Sequence, residues 1–159
     1  MSTNYFIRQK SLNDNADFEN LHLGKRSGGR KFQWCANIIE ENCATMENGS
    51  VIIRHKYRCR YPLTKQGITN FIMQENLEVV DEYGDIQNKH EFLEMAFNWC
   101  SKGLLPSDET DTYFWDYSSY QEKFKQLGKF GQLGIEFKSP ADYSFINDGL
   151  VWIIFDDFM

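Results

Sequence analysis

The densest set of groups able to do chemistry in this chain runs from His22 to Arg30 (HLGKRSGGR). Gly24, Gly28 and Gly29 are free to take positive φ, which turns consecutive backbone N–H groups inward to form an anion-binding nest. Lys25, Arg26 and Arg30 surround that nest with positive charge. Ser27 adds a hydroxyl donor and His22 a neighbouring imidazole. The chemistry these residues suit is capture of a phosphate. Trp34, and Tyr5 if it faces the same side, would stack a base beside it. The G-x-x-x-x-G-K-[ST] order of a nucleoside-triphosphate loop is absent. The plain alternative is a hairpin turn that uses glycine for geometry and lysine for solubility.

Two further surfaces carry charge in a pattern. Arg54, Lys56, Arg58 and Arg60 recur with period two, so on a strand all four share one face. Aligned cations repel one another unless something anionic lies opposite: the acidic second half, a ligand phosphate, or water. The stretch from Asp108 through Asp111 to Asp116 is acidic and interleaved with Tyr113, Phe114, Trp115 and Tyr117. Aromatics among carboxylates make protein-contact anchors, and such a surface can mimic nucleic acid toward a basic groove. Asp111, Tyr113, Trp115 and Asp116 are its candidate partner-binding residues. The alternative there is a loop whose rings pack inward while its acids face water.

Catalytic signals are thin. His22, His55 and His90 stand in no H-E-x-x-H or G-x-S-x-G context. A Cys/His pair stays open, because such partners meet in space and not in sequence. His22, beside the glycine-rich segment, is the best placed of the three for a general base. The reading is binding rather than covalent catalysis, with no cofactor.

What must position these groups is one domain spanning residues 1–159, soluble and cytosolic. A hydrophobic fraction of 42% with 25% charged residues describes a globular chain. Thirteen Phe, eight Tyr and four Trp can fill a core with few residues. No stretch reads as a signal peptide or a membrane span. Cys35, Cys43, Cys59 and Cys100 are scattered without a C-x-x-C pair and read as reduced thiols, with no structural metal. Charge is uneven. Residues 1–65 carry eleven Lys and Arg against six Asp and Glu, net +5; residues 66–159 carry six against seventeen, net −11. The overall pI near 5.1 argues against nucleic acid as the main partner.

Strands are expected at Thr3 to Lys10, around Leu21 to Leu23, at Lys31 to Ala36 across a turn from Gly24 to Arg30, at Val51 to Tyr61 after Asn48-Gly49-Ser50, at Leu77 to Glu82, and at Leu150 to Phe155 as a central strand. Thr64 is placed to cap a helix through Ile68, Phe71 and Ile72. Asn88 with Glu91 caps a second, with an apolar stripe through Phe92, Met95, Ala96, Trp99 and Cys100 and a closing Gly103. Ser119 with Glu122 opens a third, through Phe124 and Leu127. The absence of strict βαβ alternation predicts an α+β fold: a mainly antiparallel sheet of about five to seven strands with two or three helices packed to one side.

The opening Ser2-Thr3-Asn4-Tyr5-Phe6, the segment Leu21-His22-Leu23-Gly24-Lys25-x-Ser27-x-Gly29-x-x-Phe32-x-Trp34, Pro62-Leu63-Thr64 and Asp81-Glu82-Tyr83-Gly84 resemble a family of short uncharacterised phage and prophage proteins. The resemblance covers about the first hundred residues. Family members often carry a C-x-x-C pair between the first two strands, where this chain has Asn13 to Asn20. The resemblance implies a small phage accessory protein acting inside a bacterial host, and such proteins commonly counter host defences. Two routes stay open. One is a non-enzymatic binder that takes a nucleotide or other phosphate-bearing molecule at Gly24–Arg30. The other is an anti-CRISPR-like inhibitor that blocks a basic host defence protein through the acidic aromatic surface. A phosphate-ester-processing enzyme using His22 ranks below both. A homo-oligomer is compatible with either route, and the sequence leaves open whether the basic stripe faces the glycine-rich loop.

Overall fold

The computed structural model describes residues 2–10, 20–100, 102, 126–127 and 144–153. These residues belong to two compact units: residues 1–37, 61–110 and 144–159 form the first, and residues 38–60 and 111–143 the second.

The first unit is built on a seven-stranded sheet. Its strands are β1 (Ser2–Gln9), β2 (Leu21–Ser27), β3 (Gln33–Cys35), β6 (Leu77–Asp81), β7 (Ile86–Gln87), β8 (Ser144–Asn147) and β9 (Leu150–Ile153), in the order β7-β6-β1-β2-β3-β9-β8. Every pair is antiparallel except β3 with β9. The expected α+β class and mainly antiparallel sheet are therefore present. β9 is flanked on both sides, as an apolar LVWI run demands.

One row across this sheet organises the core. Tyr5, Gly24, Trp34 and Trp152 are successive cross-strand partners on β1, β2, β3 and β9. Tyr5, Trp34 and Trp152 are buried. Gly24 leaves a gap in the row, and Phe32 lies over it, its ring centroid 5.9 Å from that of Tyr5 and 4.7 Å from that of Trp34. A Cβ on Gly24 would strike the Phe32 ring and come within 2.6 Å of the Gln33 carbonyl oxygen. Gly24 is thus a strand residue that needs to be small, not a turn residue.

Two helices belong to this unit, α1 (Lys65–Ile72) and α2 (Lys89–Asn98). Both begin where their caps predict. The Thr64 hydroxyl accepts from the Gly67 N–H at 2.9 Å, and the Asn88 side chain accepts from the Glu91 N–H at 3.0 Å. α2 packs Phe92 against Tyr5, Phe32 and Trp34, and Phe97 against Trp34. It ends sooner than its apolar stripe implies. Trp99 has left the helical conformation and Cys100 sits at φ 43°, while Gly103 lies outside the described residues.

The second unit contributes a long hairpin, β4 (Ile38–Glu47) with β5 (Ser50–Cys59), joined at Asn48 and Gly49. Those two residues have φ of 52° and 78°, the pair of positive values that a two-residue type I′ turn requires. β4 is an addition to the strands expected from sequence, and β5 ends before Arg60 and Tyr61. Of the third expected helix only Gln126 and Leu127 fall among the described residues, and both are helical. Among the described residues no helix is long and apolar enough to cross a membrane.

Candidate functional site

The residues expected to form one phosphate cradle lie mostly on β2 and are divided between its two faces. Arg26 pairs with Thr3 and Lys25 with Asn4, so strand alternation sends their side chains to opposite sides of the sheet. Strict alternation would place His22 with Arg26. A β-bulge prevents this: Tyr5 pairs with Gly24 and Phe6 with His22, which leaves Leu23 as the extra, buried residue. The bulge moves His22 onto the face of Lys25.

On that face His22 Nε2 lies 3.1 Å from the Asn4 side-chain oxygen, and its ring stacks on Phe6 at 5.0 Å with 26° between the planes. Burial holds the His22 imidazole below its ordinary value near 6.5; a bond to the Gly24 backbone pulls it upward and the Lys25 charge pushes it down. Because the unfolded chain takes up this proton more readily, the associated stability is full above about pH 6.5 and is lost as the pH falls toward the depressed folded value. His22→Gln should therefore flatten the fall in stability between about pH 7 and pH 5, by up to about 1.4 kcal/mol per pH unit. Urea melts across that range check this, and identical slopes in both proteins would show that His22 titrates alike folded and unfolded.

The other face presents a different arrangement. The Arg26 guanidinium carbon sits 4.8 Å from the Trp99 ring centroid and 5.9 Å from that of Tyr5. Trp99 is fixed in turn by donating its indole N–H to the Ser27 carbonyl at 2.9 Å. Burial raises the Tyr5 phenol above its ordinary value; Arg26 opposes that shift, and Asp81 and Glu82 add to it. The Arg26 guanidinium makes no salt bridge among the described residues.

Beyond Ser27 the chain turns through Gly28 and Gly29, both exposed, to Arg30, whose N–H approaches the Ser27 carbonyl at 3.5 Å. Gly29 has φ 76°, as the third position of a type II turn demands, whereas Gly28 has no positive φ. The three-glycine nest is corrected accordingly, because Gly24 is in the sheet and Gly29 alone adopts the left-handed conformation. Trp34 is corrected too. It does share a side with Tyr5, but that side is the core, and at 0% exposure it offers no face to a base. Trp99, half-buried against Arg26, is the aromatic residue that actually borders the turn. Its place in an apolar helical stripe concealed it.

The cations Arg54, Lys56 and Arg58 do share one face of β5, and among the described residues two of them meet carboxylates of the neighbouring strand. Arg54 pairs with Glu47 and Arg58 with Glu41, each at 2.6 Å, across the same hairpin. His55 meets Glu40 at 2.6 Å on the reverse face. Exposed pairs of this kind contribute about 0–1 kcal/mol each, so they organise charge more than they stabilise the hairpin. Arg60 lies past the end of β5. Asp111, Tyr113, Trp115 and Asp116 lie outside the described residues.

Two of the four cysteine thiols are held protonated by burial. Burial pushes the Cys35 thiol up to about 12 and the Cys59 thiol up to about 11, so neither supplies thiolate at neutral pH. Among the described residues no three His, Cys, Asp or Glu side chains are grouped to hold a metal ion. Comparison with protein-family models, with curated proteins and with solved structures returned no match.

Proposed function

We propose that this chain is a non-enzymatic binder of a phosphate-bearing, nucleotide-like small molecule, held on the Arg26 and Trp99 side of the β2–β3 turn. The observation that carries the reading is the placement of Arg26: a guanidinium laid against Trp99 and Tyr5, without a salt bridge among the described residues, beside an exposed glycine turn. Contact with aromatic faces engages the plane of a guanidinium and leaves its in-plane N–H fork available for two oxygens of one phosphate. Trp99 takes the stacking role, and the exposed backbone of Gly28 and Gly29 lets an anion approach closely. The phage origin implied by the family resemblance would give such binding a use, namely sequestration of a nucleotide signal in host defence.

The test is a thermal-shift screen against nucleotides, cyclic dinucleotides and ADP-ribose derivatives. A ligand at a hundred times its dissociation constant adds about 2.7 kcal/mol. Arg26→Ala should abolish the shift, while Lys25→Ala, on the opposite face, should retain it. Equal loss in both variants would remove the assignment to one face, and a flat screen with the wild-type chain would remove the reading itself.

A further inference from the structure

The β4–β5 hairpin has one property that neither the ion pairs nor the turn explains: among the described residues its outer edge on β5 is only partly closed. A two-residue turn makes Glu47 and Ser50 a mutually hydrogen-bonded pair, and the unbroken ladder then repeats that pattern at Ile52, Arg54, Lys56 and Arg58. The N–H and C=O groups of these even-numbered residues point into the hairpin, so those of Val51, Ile53, His55, Tyr57 and Cys59 point outward. At two of the outward positions the edge is occupied. The Gln126 side-chain amide accepts from the Tyr57 N–H at 2.9 Å and donates to the His55 carbonyl at 2.5 Å, as one peptide unit of an added strand would. Toward the turn, Val51 and Ile53 have no such partner among the described residues, and they are 64% and 63% exposed. An open hollow of about 580 Å³ lies against this stretch, lined by Ile53, Arg54, His55, Lys56, Tyr57 and Gln126.

Side-chain chemistry says what the open edge would accept. Along β5 the two faces are unlike: Val51 and Ile53 are apolar on one, and the other carries Lys56 and Arg54, the latter already paired with Glu47. Met46 extends the apolar face from β4, cross-strand from Val51 and 70% exposed. A strand laid beside β5 would set its alternate side chains against those two faces. The other edge of the hairpin, β4, has no Lys or Arg to meet an acidic strand, and its Glu40, Glu41 and Glu47 pair with His55, Arg58 and Arg54.

We propose that the outer edge of β5 from Val51 to His55 is a strand-addition site for an extended protein segment that alternates acidic and apolar residues, with Gln126 marking where that segment stops. Main-chain hydrogen bonds to Val51 and Ile53 would supply affinity, and the cationic and apolar faces would select the alternation. This site is separate from the β2–β3 turn and does not depend on the ligand proposed there.

The experiment is fluorescence anisotropy of the full chain with a labelled heptapeptide, Glu-Val-Glu-Val-Glu-Val-Glu. A second peptide of the same composition, with its valines in one block, controls for charge alone. The alternating peptide should bind at least tenfold more tightly than the blocked one. Ile53→Pro deletes an outward N–H without touching the β4 ladder and should weaken binding at least tenfold. Ala44→Pro, the same change on the outward edge of β4, should alter it less than twofold. Lys56→Glu should weaken binding at least fivefold, which keeps the test decisive if the proline variants fold poorly. Hydrogen exchange should slow at Val51 and Ile53 only when peptide is present. Equal affinity for both peptides, equal loss in the two proline variants, or protection that rises with protein concentration alone, the mark of a second copy on the edge, would each overturn the proposal.

Discussion

Trp34→Ala is expected to destabilise the chain by about 3–5 kcal/mol, the usual cost of removing a large ring from a packed core. The indole is fully buried and meets the rings of Phe32, Phe92, Phe97 and Trp152 at centroid distances of 4.7, 5.9, 5.6 and 6.2 Å. Trp34→Phe should cost far less, within about 1.5 kcal/mol of wild type. Phenylalanine keeps most of the apolar contact and also removes the indole N–H, which is buried with no acceptor among the described residues. An orphaned donor of that kind costs about 1–3 kcal/mol, which offsets much of the lost volume. Urea unfolding of the two variants reads this directly. The contrast also separates core from ligand contact. A tryptophan that stacked on a base would lose binding on truncation and keep its melting temperature, whereas Trp34→Ala should lose the fold's stability first. Trp34→Phe as damaging as Trp34→Ala would mean that the indole N–H has found a partner.

What the sequence disclosed and what it concealed divide along a physical line. Features set by neighbours in the chain were legible: the Thr64 and Asn88 caps, the Asn48-Gly49 turn, and the alternation that sends Arg54, Lys56 and Arg58 to one face. Each depends on a backbone conformation or a periodicity that four or five residues determine. Features set by pairing across strands were not. Gly24 reads as a turn glycine in HLGKRSGGR, and only its place in a row with Tyr5 and Trp34, under the Phe32 ring, shows that it is small for packing. The bulge at Leu23 inverts the facing of His22, and nothing within one strand's sequence announces a bulge that exists only relative to its partner. β4 is not legible in sequence because IIEENCATME carries three glutamates and an asparagine, poor strand formers by composition. It is a strand because the Asn48-Gly49 turn lays it against β5, where Glu41 and Glu47 meet arginines. Trp99 was hidden differently: its spacing fits the α2 stripe, and only the early end of the helix frees it to hold Ser27 and Arg26.

Gly67→Ala should reverse the sign that helix propensity alone predicts. In an exposed helix interior, alanine for glycine is favourable by about 0.8–1.0 kcal/mol. Gly67, however, is a buried residue of α1 that lies directly against the Pro62 backbone. A Cβ there would overlap the Pro62 carbonyl oxygen and stand 2.8 Å from both its carbonyl carbon and its Cβ. The obstacle is main chain held between Tyr61, whose hydroxyl donates to the Cys35 carbonyl at 2.7 Å, and Leu63, whose carbonyl accepts from the Asn147 side chain at 2.7 Å. It has no flexible end to swing aside, so relief requires moving α1 or breaking one of those bonds. Overpacking of this kind costs about 1–3 kcal/mol, and the loss of a buried hydrogen bond adds to it, so the net change should be destabilising by about 2–3 kcal/mol despite the gain in propensity. Asn70→Ala, on the exposed side of the same helix, is the control. It gains propensity and gives up one exposed side-chain bond with Gln66, so its effect should fall within about 0.5 kcal/mol of zero. Denaturant midpoints of the two variants decide the matter. A stabilised Gly67→Ala would mean that the chain at Pro62 does not lie against α1, and that the glycine is there for some reason other than close approach.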